Sequence, residues 1–483
     1  MPTFYRKEHD MKIITIDIGT SRIKTACFDE RGNMSCLLSQ RLDRAASPET
    51  QQAEQWFSVS AKLLKELVFQ LDATPDAVVL TGNMHALLGI DADGVPVAPA
   101  ILWSDNSASA ESDELNTRYG KKLVELSGNS SIPVFTLTKI LQMKRTHQEL
   151  YKKTQTFMQS KDYIAFSLTG QRITDPTDAS GVLGMDLQTN QWEKALFDDL
   201  DIDTAKLPEI LPSASVCGYV TKEAAALTGL PAGTPVVTGT GDLASAAVGS
   251  GVDTDTISLT LGTAGQLLAA GKKGAGKKLA EKLFVFAHAD PEEELYLGSV
   301  PSGGFSFEWL SKLHNISVPE FFDLANKVSL SANQPLFLPY ILGKGAPSMD
   351  YTPCGAWLKL NANHSLEDLC RSAVFGTLCP LRQCTDILED LTGRRKNIVF
   401  QALACREKAV RETAGALFLQ NKFIPENSEA SLLGAAIVGA TALKIYPSIA
   451  RSAAVMLRNS PLHLPPEQTA QELFEEFLSL AQR

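Results

Sequence analysis

IDIGTS (16–21) and LTLGTAG (259–265) are the two stretches on which the fold turns. Each is a β-branched run that enters Gly-Thr plus one small residue and comes back out as a second strand. The glycines, Gly19 and Gly262, stand about half a chain apart. One such hairpin says little. Two at that spacing point to an internal duplication in which each half supplies one turn able to hold an anion.

Around the first hairpin the pattern predicts a strand over 12–17, its return over 23–28, a turn at 29–33 and a third strand near 34–39. Trp56, Phe57, Val59, Leu63, Leu64, Leu67 and Val68 recur at helical spacing, giving a helix over 55–70 before the buried strand AVVL (77–80). Short strands follow at 87–90 and 100–103. Around the second hairpin the order is a strand at 235–238, a loop at 239–241, an Ala-rich helix at 242–248, a strand at 256–261 and its return at 266–270. Later helices fall at 366–391, 409–420 and 431–443, the last rich in small residues and suited to close packing. Hairpins followed by alternating helix and strand indicate α/β architecture.

The 483 residues exceed one ordinary core, so two domains or more are expected. The net charge of −10, with no basic stripe, argues against nucleic acid as the main partner. No apolar run approaches a membrane span, and the polar opening MPTFYRKEHDMK lacks a signal-peptide core, so a cytoplasmic location is expected. Translation could start at Met1 or at Met11. The eight cysteines form no CxxC pair and read as reduced, mostly buried thiols. GKKGAGKK (271–278) reads as a solvated turn, because it lacks the Walker spacing and does not join a strand to a helix.

Three constellations can carry chemistry. In DIGTSRIK (17–24), Gly19 lets backbone amides approach an anion and Thr20 and Ser21 add hydroxyl donors. Asp17 could hold a hydrated Mg²⁺, and Lys24 adds positive charge; a plain hairpin with a polar turn fits the same residues. In TGTGD (238–242), Asp242 opens the Ala-rich helix, either as an N-cap or as the acceptor of a proton from an attacking hydroxyl, kept ionised at neutral pH by the helix N-terminus. In GNMH (82–85) and PAILWSD (99–105), His85 and Asp105 at adjacent strand ends could bind sugar hydroxyls, or could be a backbone-bonded histidine and a helix cap. Neither has metal-site spacing.

In their order along the chain these blocks resemble the FGGY family of carbohydrate kinases, which share a duplicated actin/hexokinase-like (ribonuclease H-like) fold with an interdomain cleft. IDIGTSRIK looks like the family's first phosphate motif. QQAEQW (51–56), GNMHALL (82–88) and PAILWSD look like its substrate-side motifs, and KDYIAFSLTG (161–170) with TDPTDASG (174–181) is similar to the stretch that follows in xylulokinases. GTGDLASAAVGSG (239–251) is similar to the block that holds the general base, LTLGTAG to the second phosphate motif, and PLFLPYILG (335–343) and ENSEASLLGAA (426–436) to later blocks. The resemblance implies a kinase that uses ATP and Mg²⁺ on a small sugar or sugar-acid substrate. It implies an N-terminal domain over 1–245, with the sugar side and the first phosphate turn, and a C-terminal domain over 246–483, with the second turn and the nucleotide side. Asp242 then falls on the general base. Met84, His85, Asp105 and Asp242 fall on the sugar side, and Gly19, Thr20, Ser21, Lys24, Gly262, Thr263 and Ala404 on the phosphate and nucleotide side, with Asp17 at the metal. No nucleic-acid or membrane partner is implied, and a homodimer is compatible with it.

The blocks look closest to xylulokinases, with gluconokinases next. Three departures bear on this. Ser107 stands where xylulokinase-like sequences carry arginine. Lys344-Gly-Ala-Pro347 lacks the arginine of the usual Glu-Arg-Thr-Pro block. The adenosine motif, normally glycines before Ala-Arg-Ser, reads Gln401-Ala-Leu-Ala-Cys-Arg406, so side chains stand where an adenine ring would lie on bare backbone. Alternatives are a gluconate, ketose or polyol kinase, a nucleotide- or sugar-binding regulator without kinase activity, and a filament-forming relative of actin, which fold analogy alone cannot support.

Overall fold

The computed structural model of the chain describes residues 11–43, 47–71 and 73–481. The opening stretch 1–10, including the alternative start at Met1, lies outside them. Two main sheets dominate. The first is built from β1 (Ile13–Ile18), β2 (Arg22–Phe28), β3 (Met34–Arg41), β4 (Ala77–Gly82), β5 (Val216–Tyr219) and β6 (Pro235–Gly241), in the order β5-β6-β4-β1-β2-β3. The second uses β7 (Thr256–Leu261), β8 (Gly265–Lys272), β9 (Phe284–Ala287), β10 (Glu293–Val300), β11 (Asn397–Ala402), β12 (Lys422–Pro425) and β13 (Asn459–Leu462), in the order β9-β10-β8-β7-β11-β12-β13.

The pairing repeats. β1 is antiparallel to β2 and parallel to β4, β4 is parallel to β6, and β6 is antiparallel to β5. In the second sheet β7 is antiparallel to β8 and parallel to β11, β11 is parallel to β12, and β12 is antiparallel to β13. The duplication expected from the two Gly-Thr hairpins is therefore a repeat of the whole sheet.

The helices that matter here are α1 (Ala53–Gln70), α2 (Thr136–Thr146), α3 (Ser160–Thr169), α4 (Pro176–Ser180), α5 (Asp242–Ser250), α6 (Leu366–Thr392), α7 (Leu403–Arg406), α8 (Lys408–Leu417), α9 (Ala430–Ala442) and α10 (Ile449–Met456). Among the described residues no helix is long and apolar enough to cross a membrane. One face of the first sheet packs Ile14, Ile16 and Ile18 against Trp56 and Leu64 of α1 and Ile164 of α3. Its other face packs Ile13, Val79 and Val237 against Leu433, Ile437 and Ala440 of α9, a helix from the far end of the chain. The second sheet is covered by α6 and α8 on one face, while Leu268, Ala270 and Phe286 on the other meet Ala244 and Ala247 of α5. Both sheets are thus covered on both faces, which is why their central strands read as continuous apolar runs.

The two exchanged helices cross where side chains vanish. A Cβ on Gly434 of α9 would lie 1.8 Å from the Ser245 carbonyl oxygen, and one on Gly249 of α5 would lie 1.9 Å from the Ala430 carbonyl oxygen. The Ser245 hydroxyl donates to the Ser431 carbonyl at 2.7 Å across the same seam.

The loop expected at 239–241 is part of β6. Thr240 and Gly241 pair with Thr81 and Gly82 after a register shift that follows Val237. Gly239, at φ +73°, makes that bulge possible, because a Cβ there would sit 1.7 Å from the Leu80 carbonyl oxygen.

Candidate active site

Sheet register brings the first and second constellations together. Asp17 pairs with Thr81 across β1 and β4, and Thr81 pairs with Thr240 across β4 and β6. Asp17 and Asp242 thereby share the C-terminal edge of three parallel strands, where open α/β sheets bind their ligands. Gly241 is the N-cap of α5, so Asp242 is its first helical residue. The N-cap reading of Asp242 is corrected by this geometry.

The expected ionisation of Asp242 is corrected too. Burial, then the neighbouring Asp17 carboxylate, push its pKa up to about 7, outweighing the amides of Leu243 and of Asp242 itself. Asp17 is pushed up to about 6 by burial, with Lys24 opposing and Glu429 adding to the rise. Both side chains stay half-buried, so water and small ligands reach them.

The first turn closes with the Gly19 amide donating to the Arg22 carbonyl at 3.1 Å. The Thr20 hydroxyl accepts from the Trp103 indole at 3.0 Å, while Ser21 is exposed. Lys24, directly across from Asp17, is paired with Glu429 just before α9, at 2.5 Å. It is therefore not a free cation, and Glu429 is a member of the site that the sequence reading missed. In the second turn the Gly262 amide donates to the Ala264 carbonyl at 3.0 Å and the Thr263 side chain is exposed. The segment Ser302-Gly303-Gly304 braces this turn: the Gly304 amide donates to the Gly262 carbonyl at 2.7 Å and the Phe305 amide to the Thr263 carbonyl at 2.9 Å. Ala404, on α7 beyond β11, is fully buried in the core of the second half, backbone and side chain alike, so it offers a nucleotide no accessible surface. Ala402, one residue before α7, holds φ +54° and ψ −125°, a conformation that suits glycine.

The third constellation lies beside Asp242. Met84 is buried against Gly241, whose Cβ would come 2.6 Å from the Met84 Cγ. His85, at φ +65°, shares a hydrogen between Nδ1 and the Gly181 carbonyl at 2.9 Å. The carbonyl can only accept, so Nδ1 carries the proton and Nε2 is an acceptor. Burial lowers the His85 pKa to about 4, so the ring is neutral. Lys139 of α2, also missed, donates to the His85 carbonyl at 2.9 Å and the Leu102 carbonyl at 2.7 Å. Burial lowers it to about 8, partly offset by the charge of Asp105. The Asp105 carboxylate accepts from the Ser107 amide at 2.8 Å and the Ser107 hydroxyl at 2.5 Å.

Beneath these residues lies a fully buried charge cluster with no signal in local sequence. Lys161 is 2.8 Å from Asp162, 3.0 Å from Asp175 and 3.0 Å from Asp178. Burial holds Asp178 well above the ordinary carboxylate range, with Lys161 opposing the rise. The cluster reaches the candidate base: Asp175 accepts from the Thr177 hydroxyl at 2.7 Å, and that oxygen accepts from the Gly241 amide at 2.8 Å.

Among the described residues, no group of three or more His, Cys, Asp or Glu side chains is arranged to hold a metal. Two neighbouring carboxylates whose proton affinity is raised do suit a divalent cation that keeps most of its waters, as Mg²⁺ does.

Comparison with known proteins gives this arrangement a family. The FGGY family of carbohydrate kinases has an N-terminal domain that matches residues 12–249 and a C-terminal domain that matches residues 258–443. The chain is 30% identical to xylulose kinase of Staphylococcus xylosus over 390 residues, 78% of this chain and 80% of that protein. In fold it is similar to ligand-bound xylulose kinase of Lactobacillus acidophilus, with TM-score 0.89, 22% identity and 98% of each chain covered. It is equally similar to gluconate kinase from the same organism, with TM-score 0.89, 22% identity and 98% of each chain covered. The chain belongs to the FGGY family of carbohydrate kinases and is a sugar phosphotransferase with the family's duplicated two-domain fold.

Proposed function

We propose that the chain transfers the γ-phosphoryl group of ATP to a hydroxyl of a ketopentose such as D-xylulose, with Asp242 as general base. One observation carries the assignment of the base: Asp242 is half-buried at a strand edge, the first residue of α5, with its pKa raised to about 7 by burial and Asp17. A carboxyl so tuned accepts a proton at working pH better than an ordinary aspartate does. In this reading 1–245 carries the sugar side and the first phosphate turn, and 246–483 the second turn and the nucleotide side.

The sugar hydroxyl donates a hydrogen bond to Asp242 and its oxygen attacks the γ-phosphorus. The new O–P bond forms as the bond to the β-phosphate oxygen breaks, ADP leaves, and the hydroxyl proton passes late to Asp242, because the transition state is largely dissociative. Amides and hydroxyls of Thr20 and Ser21 hold the phosphates from one side and those of Thr263 from the other, with Gly19 and Gly262 closing each turn and letting the phosphates approach the backbone. Lys24 turns from Glu429 toward the arriving charge. Asp17 would hold Mg²⁺, which when bound would offset phosphate charge. The neutral Nε2 of His85 accepts a sugar hydroxyl, Asp105 accepts another, and Met84 forms the apolar floor. Approach of the two halves excludes water from the reacting phosphate.

The test is a panel of acceptors assayed by coupled ADP release. D-xylulose should give the highest kcat/KM, ahead of gluconate, other ketoses and polyols. A gluconate preference would move the chain to the alternative substrate class, and release of ADP that no acceptor stimulates would overturn the reading.

A further inference from the structure

Asp242 follows a strand that slips register just before it. Between Val237 and Thr240, β6 carries one residue more than β4, whose matching partners are Val79 and Thr81. Such an insertion disrupts the ladder locally and re-aims the side chains beyond it. Bonds from outside the ladder hold the bulge in place. The Thr238 amide donates to the Ser215 carbonyl at 3.0 Å, and the Gly239 amide to the Ser213 carbonyl at 3.1 Å. The Gly241 amide, next to the candidate base, donates to a side chain, the Thr177 hydroxyl, at 2.8 Å.

Thr177 is buried in the first turn of α4. Its oxygen accepts from Gly241, so its one hydrogen goes to Asp175, 2.7 Å away, and the hydroxyl cannot rotate without breaking a bond. Asp175 is fixed in turn. Its carboxylate accepts the Thr177 amide at 3.0 Å and the Ser213 hydroxyl at 2.7 Å, and lies 3.0 Å from the Lys161 ammonium. Ser213 therefore grips the bulge twice, at Gly239 through its carbonyl and at Gly241 through Asp175 and Thr177. Gly241 is also wedged sideways, since a Cβ there would lie 2.6 Å from the Met84 Cγ and 2.9 Å from the Asp178 Oδ1. Lys161, Asp175, Thr177 and Ser213 are all buried, so they act on a substrate only through the backbone they hold.

We propose that Thr177 is a positioning residue for phosphoryl transfer: its hydroxyl, locked by Asp175, fixes the Gly241 amide and with it the place of the Asp242 carboxylate against the sugar hydroxyl. Well-packed apolar side chains would join α4 to β6 at least as firmly as a buried charge cluster does. What the hydroxyl adds is a single direction for one amide. The inference rests on Asp242 being the base, and goes beyond that reading by naming what aims it.

The test is a cycle of variants of the full chain, assayed by ADP release with the best acceptor of the panel, well below the melting temperature. Thr177→Val keeps the shape of the side chain and removes the hydroxyl; kcat should fall at least about tenfold, with KM for ATP unchanged. Thr177→Ser keeps the hydroxyl and should restore most of the turnover. In the Asp242→Asn background, Thr177→Val should cost less than about threefold more, because the group it aims no longer takes the proton. A merely structural role would cost the same factor in both backgrounds. Wild-type kcat in Thr177→Val, an equal loss in both backgrounds, or no recovery in Thr177→Ser would each overturn the proposal. If Thr177→Val does not fold, Ser213→Ala, which frees Asp175 on one side, goes through the same cycle, and no loss or an equal loss in both backgrounds overturns the proposal there. Full turnover in Asp242→Asn alone removes the base and this inference with it, whereas a loss there beside wild-type turnover in Thr177→Val removes the inference only.

Discussion

Replacing Gly434 by alanine tests how the fold carries the site. The added Cβ would start 1.8 Å from the Ser245 carbonyl oxygen and 2.9 Å from the Gly249 amide nitrogen, whereas real contacts essentially never fall below 3.0 Å. Both obstacles are backbone, so α5 and α9 must part by about 1.2 Å, the difference between 3.0 and 1.8 Å. Overpacking of this kind costs about 1–3 kcal/mol. Alanine returns about 1 kcal/mol as the better helix former. With a backbone clash the loss sits at the upper end, leaving a net destabilisation of about 2 kcal/mol and a Tm lower by a few degrees. The larger effect falls on turnover. α5 begins with Asp242, and a misplacement of about 1 Å at a reacting group costs about 10²-fold in rate. Thermal melts and kcat on Gly434→Ala should show both changes. Gly249→Ala should behave alike, and the double variant should be less than additive because the two share one seam. Gly120 lies in the helix Ser109–Ser127 with nothing within 4 Å of a built Cβ, so Gly120→Ala should gain up to about 1 kcal/mol and keep full activity. Wild-type Tm and kcat in Gly434→Ala would refute the reasoning.

Since Asp242 acts deprotonated and its pKa is raised to about 7, kcat/KM should rise with pH through that region and level off above it, with Asp17 adding a second proton lower down. Glu429→Gln removes a charge that raises Asp17, so the lower, Asp17 step of the profile should move to lower pH; a profile that is flat through neutrality, or a lower step unmoved in the variant, contradicts the electrostatics. Ala402→Gly should relieve about 1 kcal/mol of backbone strain and raise Tm, partly offset by the freer unfolded chain. A lower KM for ATP in that variant would tie the strain to the nucleotide side, and a lower Tm would count against the strained backbone.

Much of the fold was legible because its signals are local. The Gly19 and Gly262 hairpins, the Trp56–Val68 stripe and the AVVL strand each declare themselves within one element, and all appear as read. Gly239-Thr-Gly241 misled because glycines mark loops and bulges alike, and only the Leu80 carbonyl, distant in sequence, decides for the bulge. SLLGAAIVGATAL announced a tightly packed helix but not its partner, since crossing to the first sheet is a property of the whole topology. The site was legible as a set of residues more than as a set of charges. The helix N-terminus argued for an ionised Asp242, and the opposing carboxylate of Asp17 comes from the other end of the N-terminal half. Lys24 looked free because Glu429 lies some four hundred residues away. Lys161, Asp162, Asp175 and Asp178 all fall within the motif stretches 161–170 and 174–181, and nothing in local sequence says that the four are buried together.

The most direct measurement is turnover of Asp242→Asn with D-xylulose and ATP, alongside its melting temperature. The account predicts a kcat lower by about 10²–10⁴-fold with the fold retained, since the amide fills the same space but cannot take the proton. Near wild-type turnover in a folded Asp242→Asn protein would contradict it.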